Sequence, residues 1–172
     1  MDKDYIIVSF ATPSYAQYKT RLQEICVIDD VKGFTTKKNA YMYKPVFIKE
    51  KLLYYKKPVA WIDVDSVIYE KPKFESFDFD IGFVHRTNDI GIDKITSAFM
   101  VFNYTTNSFK FLEVWEYLCK DEDISPFGDH LRMLTARYLM TKKRKLYKEK
   151  NITDKVKNKI VFNPGTDREY KC

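Results

Sequence analysis

Two carboxylates one residue apart, Asp63 and Asp65, interrupt an apolar stretch that runs Pro58-Val59-Ala60-Trp61-Ile62-Asp63-Val64-Asp65-Ser66-Val67-Ile68. A buried carboxylate is costly unless it is paired, hydrogen-bonded or bound to a metal. Acidic residues at the end of an apolar strand therefore point to a site rather than to packing. Residues i and i+2 of an extended chain face the same side, so both carboxylates can meet one ligand. Oxygen-only ligation of this hard kind suits Mg²⁺ or Mn²⁺ together with the phosphates of a substrate. Two other D-x-D tripeptides, Asp78/Asp80 and Asp121/Asp123, lack this setting. The first stands at a polar strand entrance, where solvation or local capping accounts for it. The second lies in an acidic loop.

A strand-end pair of this kind serves two chemistries. The carboxylates can hold a divalent ion that neutralises charge on a leaving diphosphate, acting as a Lewis acid. Alternatively, Asp63 is a nucleophile toward phosphate and Asp65 a general acid, and Asp63-Val64-Asp65-Ser66-Val67 matches the D-x-D-x-[TV] pattern of haloacid-dehalogenase-type phosphatases. Those phosphatases carry the motif on the first strand of the domain. Here a strand-helix-strand-helix unit precedes it, and Gly128-Asp129 is followed by His130-Leu131-Arg132-Met133 rather than by a second acid. A nucleotidyltransferase shares the metal chemistry, but it usually has a Gly-rich, basic first loop, and Ala11-Thr12-Pro13-Ser14 is neither.

The elements that must position the pair follow from the hydrophobic pattern. Tyr5-Ile6-Ile7-Val8-Ser9-Phe10 is β-branched and aromatic, a buried first strand. Ser14 and Gln17 form a capping-box pair that predicts a helix with Tyr15, Tyr18, Leu22, Ile25 and Cys26 on one stripe. Val27 to Val31 predicts a second strand, and Gly33 to Asn39 a polar, basic connection. Lys44 to Tyr55 predicts a helix with Pro45 in its first turn and Ile48, Leu52 and Tyr55 on one face. Val59 to Ile62 is the strand that leads to the pair. Ile81 to Val84 and Ser97 to Phe102 are further strands, with a polar loop from His85 to Asp93. Asn107 caps a helix whose face is Phe111, Leu112, Trp115, Leu118 and Cys119. Gly128-Asp129 opens another, with Leu131, Leu134 and Tyr138 on its stripe. Ile160-Val161-Phe162 is a late strand before the turn Asn163-Pro164-Gly165. Strands alternating with helices predict an α/β fold, a three-layer α/β/α sandwich around a mostly parallel sheet.

The bulk composition sets the limits. A chain of 172 residues, 45% hydrophobic and 31% charged, fits one globular domain over 1–172. The net charge of +6 is concentrated in a basic C-terminal segment, about 142–172. That segment suits a polyanionic partner and leaves open a non-enzymatic basic binding protein, or else it is a solvated helix face. No specific nucleic-acid recognition is expected. Cys26, Cys119 and Cys172 are odd in number and form no C-x-x-C pair, which argues against a zinc site or disulfide framework and for a reducing compartment. The start Met1-Asp2-Lys3-Asp4 is too acidic, and the following apolar run too short, for a signal peptide, and no segment is long enough for a transmembrane span. A cytoplasmic protein is expected.

Four blocks resemble those of GT-A-fold nucleotide-sugar glycosyltransferases: Val8-Ser9-Phe10-Ala11-Thr12-Pro13-Ser14-Tyr15, Tyr43-Lys44-Pro45-Val46-Phe47-Ile48, Trp61-Ile62-Asp63-Val64-Asp65-Ser66, and Ser97 to Phe102 with Phe127-Gly128-Asp129. Their order and spacing cover roughly residues 5 to 140, so the likeness is architectural. The chain is similar to the small transferases of large DNA viruses and of bacterial polysaccharide clusters. The resemblance implies that Phe10, Ala11, Thr12 and Tyr15 hold the nucleobase and ribose. Asp63 and Asp65, with Val64 between them, bind Mn²⁺ or Mg²⁺ and through it the diphosphate. It places Lys44 near the nucleotide and Ser97 and Ala98 beside the sugar. Asp129 faces sugar or acceptor and is the candidate base for the acceptor hydroxyl. Each has a plainer alternative: a helix N-cap for Asp129, core packing for Tyr15, a solvated first-turn lysine for Lys44. His85 and His130 are not assigned to the metal. The implied partners are a nucleoside-diphosphate sugar, most simply a UDP-sugar, and a glycan or glycoprotein acceptor.

Overall fold

The computed structural model describes residues 4–22, 24–31, 37–87, 93–120, 128–143, 147–162, 164 and 170–171. Its centre is a six-stranded sheet built from β1 (Ile6–Ala11), β2 (Val27–Asp30), β3 (Val59–Ile62), β5 (Ile81–Thr87), β6 (Asp93–Phe102) and β7 (Glu149–Asn151), in the order β2-β1-β3-β6-β5-β7. A second, three-stranded sheet joins β4 (Val67–Ile68), β8 (Ile160–Phe162) and β9 (Tyr170–Lys171), in the order β4-β8-β9. In the central sheet β1 pairs in parallel with β2 and β3, and β7 in parallel with β5, whereas β6 runs antiparallel to both β3 and β5. The mostly parallel sheet expected from the alternation of elements is present, with one reversed strand next to its centre.

Strand alternation divides the core. Val8, Phe10, Val59, Trp61, Met100 and Phe102 face α1 (Lys37–Tyr55), α2 (Thr106–Lys120) and α3 (Gly128–Lys143), and pack with Ile48, Leu52, Phe111, Trp115, Met133 and Met140. Ile7, Ala60, Ile62, Phe99 and Val101 face the other way, onto Leu22, Cys26, Ile68, Phe74, Val156 and Phe162. That second layer consists of a 3-10 helix (Pro13–Arg21), the small sheet and the short α4 (Thr153–Val156). Burial pushes the Cys26 thiol up to about 12, as suits a core cysteine.

Several local expectations are corrected. The first helix is 3-10 rather than α. Thr12 is its N-cap and makes no side-chain cap bond, so the Ser14–Gln17 box does not form. Pro13 at the first position supplies the fixed φ that starts the turn instead. Helix α1 begins at Lys37, not Lys44, and Pro45 lies inside it. Buried Ala40 before the proline and buried Phe47 and Ile48 after it anchor both halves to the core. Thr105, not Asn107, caps α2, accepting the Ser108 N–H at 3.2 Å. On α3 the predicted stripe is rotated: Leu131 and Tyr138 are exposed, and Arg132, Met133, Ala136 and Met140 are buried. Arg132 reads as polar but donates from Nε to the Leu118 carbonyl at 2.9 Å, tying α3 to α2. Part of the expected loop from His85 to Asp93 is strand, since His85, Arg86 and Thr87 extend β5 opposite Ile95, Lys94 and Asp93. Asp121/Asp123 and the Asn163 to Gly165 turn as a unit lie outside the described residues.

The basic C-terminal segment is not one helix face. From residue 147 it forms β7, α4 and β8. Lys150, Lys155 and Lys159 pair with Asp78, Glu75 and Glu70 at 2.9, 3.2 and 3.0 Å. Part of its positive charge is thus balanced by the acidic residues between β4 and β5. Among the described residues no helix is long and apolar enough to cross a membrane.

Candidate functional site

Because β1, β2 and β3 are parallel, their carboxyl ends open on the same edge of the sheet, where open α/β sheets place their ligands. Ser9 Oγ donates to the Ile62 carbonyl at 2.7 Å and locks the end of β3 to β1. Beyond Ile62 the chain leaves the strand in a turn, with the Ser66 N–H donating to the Asp63 carbonyl at 3.0 Å. The pair therefore rides on a turn rather than on extended chain. Burial still alternates across it: Asp63 and Asp65 are partly exposed, and Val64 and Ser66 are buried. Both carboxylates are on the accessible side, through a turn and not through the extended geometry from which this was expected.

The antiparallel β6 brings Ser97 and Ala98 to the same place. Ile62 pairs with Phe99, and the Asp63 N–H donates to the Ala98 carbonyl at 2.9 Å. Helix α1 adds Lys44, only 3% exposed. Its Nζ donates to Asp63 Oδ1 at 2.9 Å and to the Ser97 carbonyl at 3.4 Å. Lys44 is thus a buried partner of the pair and not a solvated first-turn lysine. The sequence pointed to no role for Trp61, yet its Nε1–H donates to the same Asp63 Oδ1 at 2.9 Å. An indole two residues before a strand-end carboxylate, on the same face, was the available signal. The Lys44 ammonium also lies 5.1 Å from the Trp61 ring centroid, within cation–π range.

The other candidates are placed less directly. Phe10 is buried, its ring 5.1 Å from that of Trp61 and 5.2 Å from that of Phe47. Its ring thus packs against Trp61 in a tilted contact. Ala11 is buried, and Thr12 and Tyr15 are partly exposed at the end of β1. The Tyr15 N–H donates to the Thr12 carbonyl at 2.9 Å, and the Tyr15 ring packs on Tyr18. Asp129 stands in the first turn of α3, as expected, and its side chain lies outside the described residues. His85 is held by Thr153, whose Oγ1 accepts its N–H at 2.8 Å.

The donor set fits a divalent ion in one particular way. Among the described residues no three His, Cys, Asp or Glu side chains cluster as a metal cage. Asp63 has one oxygen engaged by Lys44 and Trp61 and keeps 28% of its side chain exposed. Two carboxylates at an accessible turn suit an ion whose remaining ligands are water and substrate phosphate, the usual arrangement for Mg²⁺.

With this geometry established, the comparisons bear on the fold. No family model matches the chain, and no curated protein matches it in sequence. The architecture does match solved structures. A glycosyltransferase involved in glycosylation of the major capsid of PBCV-1 superposes with a TM-score of 0.68 at 13% identity, over 96% of this chain and 95% of that one. The chain shares the fold of that protein over nearly its whole length. GlyE of Streptococcus pneumoniae TIGR4 follows with a TM-score of 0.49 at 13% identity, over 87% of this chain and 46% of that one. The galactosyltransferase LgtC, solved with donor and acceptor sugar analogues, gives 0.44 at 10% identity, over 77% and 70%. The near end-to-end match to the PBCV-1 enzyme agrees with the GT-A-like architecture that the sequence blocks imply.

Proposed function

We propose that this chain is a divalent-metal-dependent glycosyltransferase that moves a sugar from a nucleoside-diphosphate donor, with UDP as its nucleotide, to a hydroxyl of a glycan or glycoprotein. The observation that carries the reading is the Asp63-Val64-Asp65 turn at the carboxyl end of β3, both carboxylates outward, in a fold shared over nearly its whole length with a glycosyltransferase. A divalent ion at the pair would supply Lewis-acid neutralisation of the leaving diphosphate. The chain's own residues do the rest. Lys44 and Trp61 orient Asp63 through one oxygen. The end of β1 and the middle of β6 flank β3, and in this reading Thr12 and Tyr15 serve the nucleoside and Ser97 and Ala98 the sugar. Asp129, at the start of α3, is the candidate base for the acceptor hydroxyl.

The phosphatase alternative is less well supported. It calls for the motif on the first strand, whereas Asp63 follows the third strand in chain order, beside an antiparallel neighbour. The deciding experiment is calorimetric titration with UDP, GDP and UDP-sugars, with and without Mn²⁺, on the wild type and Asp65→Ala. Metal-dependent UDP binding that Asp65→Ala abolishes is expected. UDP binding that is absent, or indifferent to both metal and substitution, overturns the reading.

A further inference from the structure

We infer that Thr96 is a positioning residue for the Asp63-Val64-Asp65 turn: its hydroxyl fixes one peptide group in a bulge of β6, and that group and the next carbonyl hold Lys44 and Asp63. The role presupposes the reading of the Asp pair as a nucleotide-sugar site and adds a residue outside the pair and its direct donors.

Strand β6 is paired on both sides, and its two ladders do not match. Toward β3 the register is continuous. Met100 lies opposite Trp61 and Phe99 opposite Ile62, and the Asp63 N–H carries the ladder one step further, to the Ala98 carbonyl at 2.9 Å. Toward β5 the register jumps: Phe83 lies opposite Met100, and the next residue, Val84, opposite Thr96. Ser97, Ala98 and Phe99 are therefore extra residues on that side. Ala98 and Phe99, although consecutive, both pack in the second layer. A bulge of this kind takes backbone groups out of the ladder and re-aims the chain, and bulges are frequent beside active sites. Here the peptide group between Ser97 and Ala98 is held at both ends by side chains. Its carbonyl accepts Lys44 Nζ at 3.4 Å, and its N–H donates to Thr96 Oγ1 at 3.1 Å. Thr96, Ser97 and Ala98 are all buried. Without the hydroxyl, the buried Ala98 N–H loses this acceptor, and the peptide group is favoured to turn toward another. Turning it moves the Ser97 carbonyl off Lys44 and displaces the adjoining Ala98 carbonyl, which accepts the Asp63 N–H. Asp63 is then disturbed twice, at its backbone directly and at its carboxylate through Lys44.

The test compares Thr96→Val, which keeps the shape and loses the hydroxyl, with Thr96→Ser, which keeps the hydroxyl and loses the methyl. A packing role and a positioning role rank the two in opposite order. Calorimetry with UDP and Mn²⁺ on the folded proteins is expected to show Thr96→Val binding UDP about five-fold or more weakly than the wild type, and Thr96→Ser within about two-fold of it. Amide hydrogen exchange, followed by NMR without nucleotide, gives a second readout. Relative to Ile7 and Val8 in β1, the Asp63 and Ala98 amides are expected to exchange about ten-fold faster in Thr96→Val and at the wild-type rate in Thr96→Ser. A Thr96→Val that binds UDP like the wild type overturns the role of Thr96 and leaves the nucleotide-sugar reading standing. A Thr96→Ser weakened about five-fold or more overturns it as well, and that comparison does not require Thr96→Val to fold. If the wild type binds no UDP even with Mn²⁺, the nucleotide-sugar reading falls, and exchange alone decides whether Thr96 holds Asp63. Asp63 and Ala98 amides that quicken no more than those of β1 overturn that hold.

Discussion

The backbone N–H of Lys148 donates to Asp80 Oδ2 at 2.7 Å, tying the segment that leads into β7 to the start of β5. The same carboxylate accepts Thr105 Oγ1 at 2.6 Å and Asn107 Nδ2 at 3.1 Å, from the beginning of α2. Asp80, only 7% exposed, is therefore a structural hub for three chain segments and needs no ligand. Its neighbour in the tripeptide, Asp78, is exposed and pairs with Lys150 at the surface. Asp80→Ala leaves buried donors without a partner and should cost about 2–3 kcal/mol of stability, read as a shift of the urea midpoint. Asp78→Ala should leave that midpoint where it is. Both variants, measured while folded, should bind UDP and Mn²⁺ like the wild type. Loss of UDP binding on Asp78→Ala would place the metal-binding pair elsewhere in the chain.

The second prediction concerns Trp61. Trp61→Phe keeps an aromatic ring against Phe10 and Phe47 but removes the N–H that Asp63 Oδ1 accepts. A hydrogen bond to a charged group contributes ~1.5–3 kcal/mol, so UDP affinity in the presence of Mn²⁺ should fall roughly ten-fold or more. Trp115 is buried in the same core cluster but lies on α2. Trp115→Phe should lower the melting temperature without changing UDP affinity. Equal effects of the two substitutions on UDP binding would reduce Trp61 to a packing residue.

What the sequence made legible divides along physical lines. The strands at the end of which the site forms are continuous apolar runs, and β1, β3 and the core of β6 fall where those runs lie. The stripe of α2 is also correct in full, because five large apolar side chains repeat at helical spacing and all five are buried. On α3 the pattern failed because a buried arginine and an alanine occupy the inner face while a leucine and a tyrosine face out. Polarity alone does not reveal an Arg132 that reaches a carbonyl of another helix. The start of α1 was hidden by Pro45, which local rules place near a helix start and which tertiary packing tolerates inside. At the site, Asp63 and Asp65 were readable from a strand end, whereas Ser97 and Ala98 entered only through the family resemblance and lie in the middle of β6. The contact of Lys44 with Asp63 joins residues 19 positions apart in sequence, and only the packing of α1 on β3 creates it.

The third prediction is a pH dependence outside the site. Hydrogen bonds from Lys120 first, and then Lys49, hold the Glu116 carboxyl below its ordinary value of 4.5. Lys49 lies on α1 and Glu116 on α2, so the contact joins two of the three helices packed on that face of the sheet. A carboxylate whose pKa falls on folding contributes stability that is fully present above its unfolded value and is lost as pH falls through the lowered folded value. Glu116→Gln should therefore be less stable than the wild type at neutral pH by about 1 kcal/mol or less, since Lys120 is largely exposed. The gap should hold down to about 4.5 and close below it. Urea titrations at neutral and acid pH measure both ends, and a gap that widened on acidification would contradict the assignment.

The last prediction tests which side of the Asp63-Val64-Asp65 turn meets ligand. Ser66 follows the pair directly, and as a small polar residue beside a diphosphate it would be expected to face outward. It is instead fully buried, and its Oγ has no hydrogen-bond partner among the described residues. A buried hydroxyl without a partner keeps its desolvation cost and returns nothing for it. Ser66→Ala removes that oxygen, keeps the small side chain, and should be neutral or stabilising by up to about 1 kcal/mol. Ser66→Val adds volume to a packed interior and should destabilise by about 1–3 kcal/mol. Neither change should alter UDP affinity in the presence of Mn²⁺ in the folded protein. If Ser66→Ala instead weakened UDP binding with its stability intact, the hydroxyl would be a ligand contact and the turn would have to present its other face in the bound state. Thermal melts paired with calorimetry on the two variants separate these outcomes, because a packing role moves the first measurement and a ligand role the second.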